Sequence, residues 1–294
     1  MYELKQLGEH TYYISSPTNI GVYEYGGKVC LIDSGSDKDA AKKALRQIEE
    51  QGWKLDMVIC THSHADHSGG CAFLKERTDC GVYAPGASAA IIKHSFLEPT
   101  YLYGGFPVKE LCSKFLMSMP CDCGELSESV LPEGLEIMRI DGHDFGQAAI
   151  KTRDGVWFTA DALLSAETLS KYKISFLYDI AQHLEALEKL EGVTGRLFVP
   201  AHAEPTEDIS GLISINRENV YEVSKVIKGL CERGLTIDEL ISELFSVYGI
   251  RPSIMQYSLI GCTTRSYLSW LYSAGEMRYE FEGTKLVWKT VSDT

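Results

Sequence analysis

The stretch Thr61–Gly70, "THSHADHSGG", places three of the chain's eight histidines and an aspartate within six residues. Imidazole nitrogen and carboxylate oxygen bind zinc and similar ions readily. The spacing is wrong for two histidines one helical turn apart. It suits a loop at a strand end, where neighbouring side chains splay toward two centres. The candidates here are His62, His64, Asp66 and His67. Four groups cannot complete two metal shells, so the remaining ligands must come from distant segments.

Working outward, "DMVIC" before the turn is an apolar run that reads as a buried strand emptying into it. Upstream, "TYYISS", "NIGVYEY" and "KVCLIDSG" are short runs rich in Tyr, Val and Ile, separated by Pro, Asn and Gly-Gly, and read as strands. "DKDAAKKALRQIEEQG" and "GGCAFLKERTDCG" have helical spacing and glycine stops, and "GVYAPG" is another strand. This alternation predicts an α/β core. Residues 88–127, apolar, aromatic and broken by Gly-Gly-Phe-Pro, read either as an inserted helical hairpin or lid, or as a plain core element. Strands resume with "LEIMRIDGHDFGQAAI", "VWFTADAL" and "RLFVPAHAEP", with helices "DIAQHLEALEKLEG" and "SINRENVYEVSKVIKGLCERG" around the last. The tail adds a Thr-capped amphipathic helix, "TIDELISELFSVYG", and "PSIMQYSLIGCTTRSYLSWLYSAGE", read as two more helices. It closes with a hairpin, "MRYEFEGTKLVWKT". The whole tail predicts a small winged-helix-like unit.

Three distant residues fit the missing ligands: His143 in "IDGHDFG", Asp161 in "FTADAL" and His202 in "VPAHAEP". Each lies at or just beyond a predicted strand end, where α/β folds place functional groups. His10 and His183 read as ordinary surface or helix residues, and His94 lies within the 88–127 segment, where a pocket role is open.

"HSHADH" resembles the HxHxDH signature of the metallo-β-lactamase superfamily. "GHDFG", the strand ending in Asp161 and "AHAEP" follow in that family's order, so the resemblance spans about the first 205 residues. It implies an α/β fold, an αβ/βα sandwich of two mixed sheets with outer helices and metals at one edge. It implies residues 1–205 as the catalytic domain, and leaves 206–294 as the unit read above as winged-helix-like. Carried over, His62, His64 and His143 hold a first metal, and Asp66, His67 and His202 a second. Asp161 bridges both, and Asp33 in "CLIDSG" buttresses the loop without binding metal. The implied cofactor is a pair of divalent ions, zinc first, with iron or manganese as alternatives. Asp66 doubles as the catalytic group that orients water or passes its proton on. Gly69 and Gly70 let the following helix pack close behind the loop.

The implied reaction is metal-dependent hydrolysis of a small ester, thioester or lactone, as in glyoxalase II-like and lactonase-like relatives. The alternatives are a ribonuclease or phosphodiesterase, or a mononuclear-iron persulfide dioxygenase. Net charge −13 over 294 residues disfavours nucleic acid and anionic membranes as partners and leaves a small-molecule substrate. The tail carries nine Lys+Arg against twelve Asp+Glu. It is expected to roof the site or form a homodimer, not to bind nucleic acid. With no export signal and no long apolar run, a cytoplasmic location is expected. The nine cysteines then read as free thiols. Cys121 and Cys123 form the one close pair, to which the sequence assigns no role.

Overall fold

The strands flanking the histidine turn alternate between two apolar faces, and this makes a four-layer sandwich. The computed structural model describes residues 2–291. Met1 and residues 292–294, the outer ends of the two expected domains, lie outside the described residues. The first sheet has strands β1 (Glu3–Gln6), β2 (Thr11–Ser15), β3 (Ile20–Tyr25), β4 (Lys28–Ile32), β5 (Lys54–Ile59), β6 (Gly81–Ala84) and β7 (Gly124–Glu125), in that spatial order. Pairing is antiparallel from β1 to β4 and parallel from β4 to β7. The second sheet holds β8 (Leu135–Arg139), β9 (Ala148–Thr152), β10 (Val156–Ala160) and β11 (Leu197–Pro200), in the order β11-β10-β9-β8. Only its β10–β11 pair is parallel. Both sheets are therefore mixed.

Successive side chains of a strand point to opposite faces. In β4, Cys30 and Ile32 join the core between the sheets, with Phe158 of β10 and Val199 of β11. Val29 and Leu31 face outward onto helices α1 (Lys38–Glu50) and α3 (Cys71–Thr78), through Ala41, Leu45, Ile48 and Leu74. In β10, Trp157 packs outward on Ala186, Leu187 and Leu190 of α7 (Ile180–Glu191). Burial on both faces explains why these strands read as continuous apolar runs. Helix α1 starts at Asp37, whose Oδ1 accepts from the backbone of Asp39 and Ala40, a cap worth about 1 kcal/mol.

The 88–127 segment is not a helical hairpin. It opens within α4 (Ala87–Lys93), whose Ala89 and Ile92 belong to the main core. It continues through α5 (Leu97–Tyr103) and one 3₁₀ turn at Lys109–Leu111, and ends as edge strand β7. Its middle part lines the cavity described below. A short helix, α6 (Ala166–Tyr172), was not anticipated; Ser165 Oγ caps it by accepting from Thr168 N.

The tail comprises α8 (Ser210–Cys231), α9 (Ile237–Tyr248), α10 (Ile254–Ser273) and the hairpin β12 (Met277–Glu282) and β13 (Lys285–Thr290). The stretch read as two helices is the single helix α10. Gly261 weakens the local helical signal, yet it sits where α9 presses close: a Cβ there would lie 3.2 Å from Ile241 Cδ1. The tail's core is not separate. Leu240, Ile241, Leu244, Tyr267, Leu268 and Leu271 pack in one cluster with Ile174, Leu177 and Ile180 of the first unit.

Candidate metal centre

The histidine turn leaves β5 and passes through the four-residue helix α2 (Ala65–Ser68) into α3. Close packing requires the two glycines after it. A Cβ on Gly69 would lie 2.2 Å from Ser36 O, and one on Gly70 2.5 Å from Ser34 O. His143 stands in the β8–β9 turn, Asp161 just after β10 and His202 just after β11. All seven expected side chains meet at this edge of the sandwich. Three ligand-competent groups emerge: His62, His64 and His143; His62, His67 and Asp161; and Asp66, His67 and His202.

What holds each ring from behind fixes which nitrogen faces the centre. His67 Nδ1–H donates to Asp33 Oδ2 (2.8 Å), His143 Nδ1–H to Phe176 O (3.0 Å) and His202 Nδ1–H to Pro17 O (3.1 Å). Thr61 donates its Oγ1–H and N–H to Asp33, so its Oγ1 accepts from His62 Nδ1–H at 3.1 Å. Tautomers follow from these acceptors. Each of the four then turns its Nε2 inward. His62 Nε2 and His143 Nε2 both approach His64 Nδ1 at 3.0 Å, and one N–H cannot serve two acceptors. His202 Nε2 lies 3.2 Å from Asp66 Oδ2 and 3.3 Å from Asp161 Oδ2. His67 Nε2 and Asp161 Oδ1 are 3.3 Å apart, buried, and without hydrogen-bond partners among the described residues. Among His62, His64 and His143 lone pairs thus converge on lone pairs, and at the other end imidazoles crowd carboxylates. A cation suits both ends, and imidazole with carboxylate suits zinc, iron or manganese. The residues fit a metal.

A family model described as metallo-beta-lactamase superfamily matches residues 15–202. The chain belongs to that superfamily. A hydroxyacylglutathione hydrolase from Dechloromonas aromatica (strain RCB) is 29% identical over 184 residues, covering 62% of this chain and 56% of the relative. One from Rhodopseudomonas palustris (strain BisB18) is 42% identical over 64 residues, 20% of this chain and 25% of the relative. The chain therefore spans about half the length of the first relative and a quarter of the second. A metallo-beta-lactamase family protein from Thermus thermophilus has TM-score 0.74 at 20% identity, covering 96% of this chain and 99% of that one. A beta-lactamase domain protein from Burkholderia ambifaria has TM-score 0.73 at 16% identity, covering 98% and 94%. Such coverage takes in the tail helices, so the fold they share extends beyond the family-matched region.

In this metallo-β-lactamase fold the two ends of the cluster differ in charge. Burial, helped by the neighbouring imidazoles, holds His62 well below the usual histidine range and His143 down to about 4. Burial would lower His67 too, but Asp161, Asp66 and Asp33 outweigh it and hold its pKa well above that range. Asp161, working against burial, pushes His202 up to about 11. Burial alone would raise the Asp66 and Asp161 carboxyls, yet His67 and His202 keep both well below the carboxylate range.

Several supporting groups escaped the sequence reading. Asp144, directly after His143, accepts on Oδ2 from Ser63 N, Ser63 Oγ and Ser88 Oγ, tying the histidine turn to the β8–β9 turn. Thr18 Oγ1 donates to Asp66 Oδ2 at 3.1 Å. Adjacency to a ligand candidate was the only sequence signal, and it existed for Thr61 and Asp144 alone. Of the remaining histidines, His94 is exposed and takes no part, and His183 is buried, with burial pushing it down to about 3. All nine cysteines are free, and none joins a ligand-competent cluster among the described residues.

The centre opens into a cavity of about 740 Å³. Phe115 and Leu116 from the 88–127 segment, Tyr172 and Phe176 wall one part, and Gln256 and Leu259 of α10 roof it. Lys171 is its one lining lysine or arginine among the described residues. No described helix is long and apolar enough to cross a membrane.

Proposed function

We propose that the chain is a metal-dependent hydrolase of small thioesters, with esters and lactones in reach of the same chemistry. The observation that carries this is the convergence of five imidazoles and two carboxylates at one edge, with His64 Nδ1 facing two ring nitrogens that one N–H cannot serve. The proposed ligands are His62, His64 and His143 for one ion and Asp66, His67 and His202 for a second, zinc first, with Asp161 between. When bound, the ions supply Lewis acidity for the substrate carbonyl and bring water toward ionisation near neutral pH. The chain's own residues do the rest. Asp66 and Asp161 both line the cavity, and with a side chain 40% exposed against 8% for Asp161, Asp66 is the more open of the two. Held by Thr18, it takes a proton at its carboxylate and passes it to the leaving sulfur or oxygen. Phe115, Leu116 and Phe176 keep water from the acyl group, and α10 covers the cavity from the tail.

The named activity of the curated relatives supports the thioester choice. Glutathione carries two carboxylates, whereas Lys171 is the one lysine or arginine lining the cavity among the described residues and Glu98 and Glu167 line it too, so a less anionic thiol portion suits it better. Residues 1–205 would be the catalytic unit and the tail its roof. Elemental analysis of protein purified without added metal, with a panel of thioesters, lactones, phosphodiesters and RNA, tests this. Two equivalents of metal and thioester turnover are expected. One equivalent with persulfide oxidation, or RNA cleavage with steeply salt-dependent binding, would overturn it.

A further inference from the structure

Five histidines converge on the centre, and four are gripped from behind at Nδ1 by Thr61, Asp33, Phe176 and Pro17. His64 is turned the other way. Its Nδ1 faces His62 and His143, so its outward nitrogen is Nε2. That nitrogen has no hydrogen bond among the described residues. Across from it lies Glu98 Oε1, at 3.9 Å.

Glu98 sits in the first turn of α5 and is only 4% exposed. Leu102, one turn on, packs with Leu111 and Leu116, which fixes the helix with Glu98 turned inward. Its carboxyl has no hydrogen bond to any other described residue. A buried polar group is costly without a partner, and a carboxyl more so. Both residues border the cavity, and His64 Nε2 and Glu98 Oε1 face each other across the centre's rim, which calls for a joint explanation. Metal-binding histidines gain orientation and basicity from a carboxylate or carbonyl on the far nitrogen. Three of the other rings have that support, and the fourth, His62, has the Thr61 hydroxyl in its place.

We infer that Glu98 is the positioning residue for His64, fixing its ring so that Nδ1 and not Nε2 faces the ion. This inference rests on the metal-centre reading above. A separation of 3.9 Å is an ion-pair distance and longer than a hydrogen bond. The carbonyl oxygen accepts whether or not the acid is protonated. The consequence is that the 88–127 segment, which also walls the cavity through Phe115 and Leu116, is tied to one half of the centre.

The test uses the full chain loaded with Zn²⁺ and two variants of similar volume. Glu98→Gln keeps an accepting oxygen and Glu98→Leu removes it. Competition against a chromophoric chelator should show one Zn²⁺ equivalent weakened roughly 10–100-fold in Glu98→Leu, and within about threefold of wild type in Glu98→Gln. Spectra of ¹⁵N-histidine-labelled protein should show one ring of the five as the Nε2–H tautomer. Its proton should exchange slowly in wild type and fast in Glu98→Leu, a signature that altered folding alone would not give. Unchanged affinity and exchange in Glu98→Leu, or equal losses in both variants, would overturn the role. A changed KM with intact metal affinity would also overturn it, since Glu98 would then touch substrate. Wild-type protein that takes up no Zn²⁺ would sink the metal-centre reading and this inference together. Uptake with an indifferent Glu98→Leu would sink this inference alone.

Discussion

The two halves of the centre share a loop but not a chemistry. The His62, His64 and His143 half presents neutral rings, with His143 pushed down to about 4 by burial and its neighbours. The Asp66, His67 and His202 half couples rings to carboxylates, and Asp161 pushes His202 up to about 11. Near neutral pH the first half offers bare nitrogen, while the second holds protons where a metal would sit. One sequence turn thus builds two halves that differ in charge, and the placement of Asp66 and Asp161 makes the difference.

Asp161 is the position that can break the comparison outright, since it lies against His67, His143 and His202 together. Asp161→Asn should empty both halves and cut turnover by more than the roughly 100-fold upper range of outer-ligand changes; full metal content with full turnover would show that the carboxylate does not join them. Next in size, His143→Ala and His202→Ala should each leave one equivalent of metal, in opposite halves, visible by anomalous scattering. Loss of both ions from either variant would mean that the halves are not separate sites.

Asp33→Asn sharpens the contrast. It weakens the grip on His67 Nδ1 and on Thr61, so affinity should drop about 10–100-fold, chiefly in the carboxylate half. The smallest effects are protonic. Calorimetry at pH 8 in buffers of different ionisation enthalpy should show roughly one to two protons expelled on filling the carboxylate half, and about none on filling the other. Acid should therefore strip the carboxylate half first. In metal-free protein the signs run opposite ways. His202 has a raised pKa, so its contribution is full below the unfolded value of about 6.5 and is lost as pH rises through about 11. His143 has a lowered pKa, so below about 6.5 the unfolded chain takes a proton that the folded one refuses, and stability falls toward pH 4. Tm of the metal-free chain should therefore decline on both sides of about pH 6.5. A flat profile would mean that neither ring is perturbed.

The sequence by itself determined the candidate ligands and the frame that carries them. Strand ends are local features: an apolar run followed by a polar turn marks where side chains leave the sandwich, so His62, His143, Asp161 and His202 could be placed before any tertiary contact was known. The density of metal-binding groups in one turn pointed to a centre there. What surrounds the ligands was decided only by the tertiary structure. The carbonyls of Pro17 and Phe176 hold His202 and His143 across 185 and 33 residues of chain, and a backbone carbonyl leaves no mark in sequence. Glu98 is one glutamate among many until α5 buries it beside His64. The tail read as helices and a hairpin, but the stretch read as two helices is the single helix α10, where close packing against α9 at Gly261 overrides a weak local propensity. Local pattern fixes what a residue can do, and long-range packing fixes which nitrogen, which carboxyl and which wall it does it with.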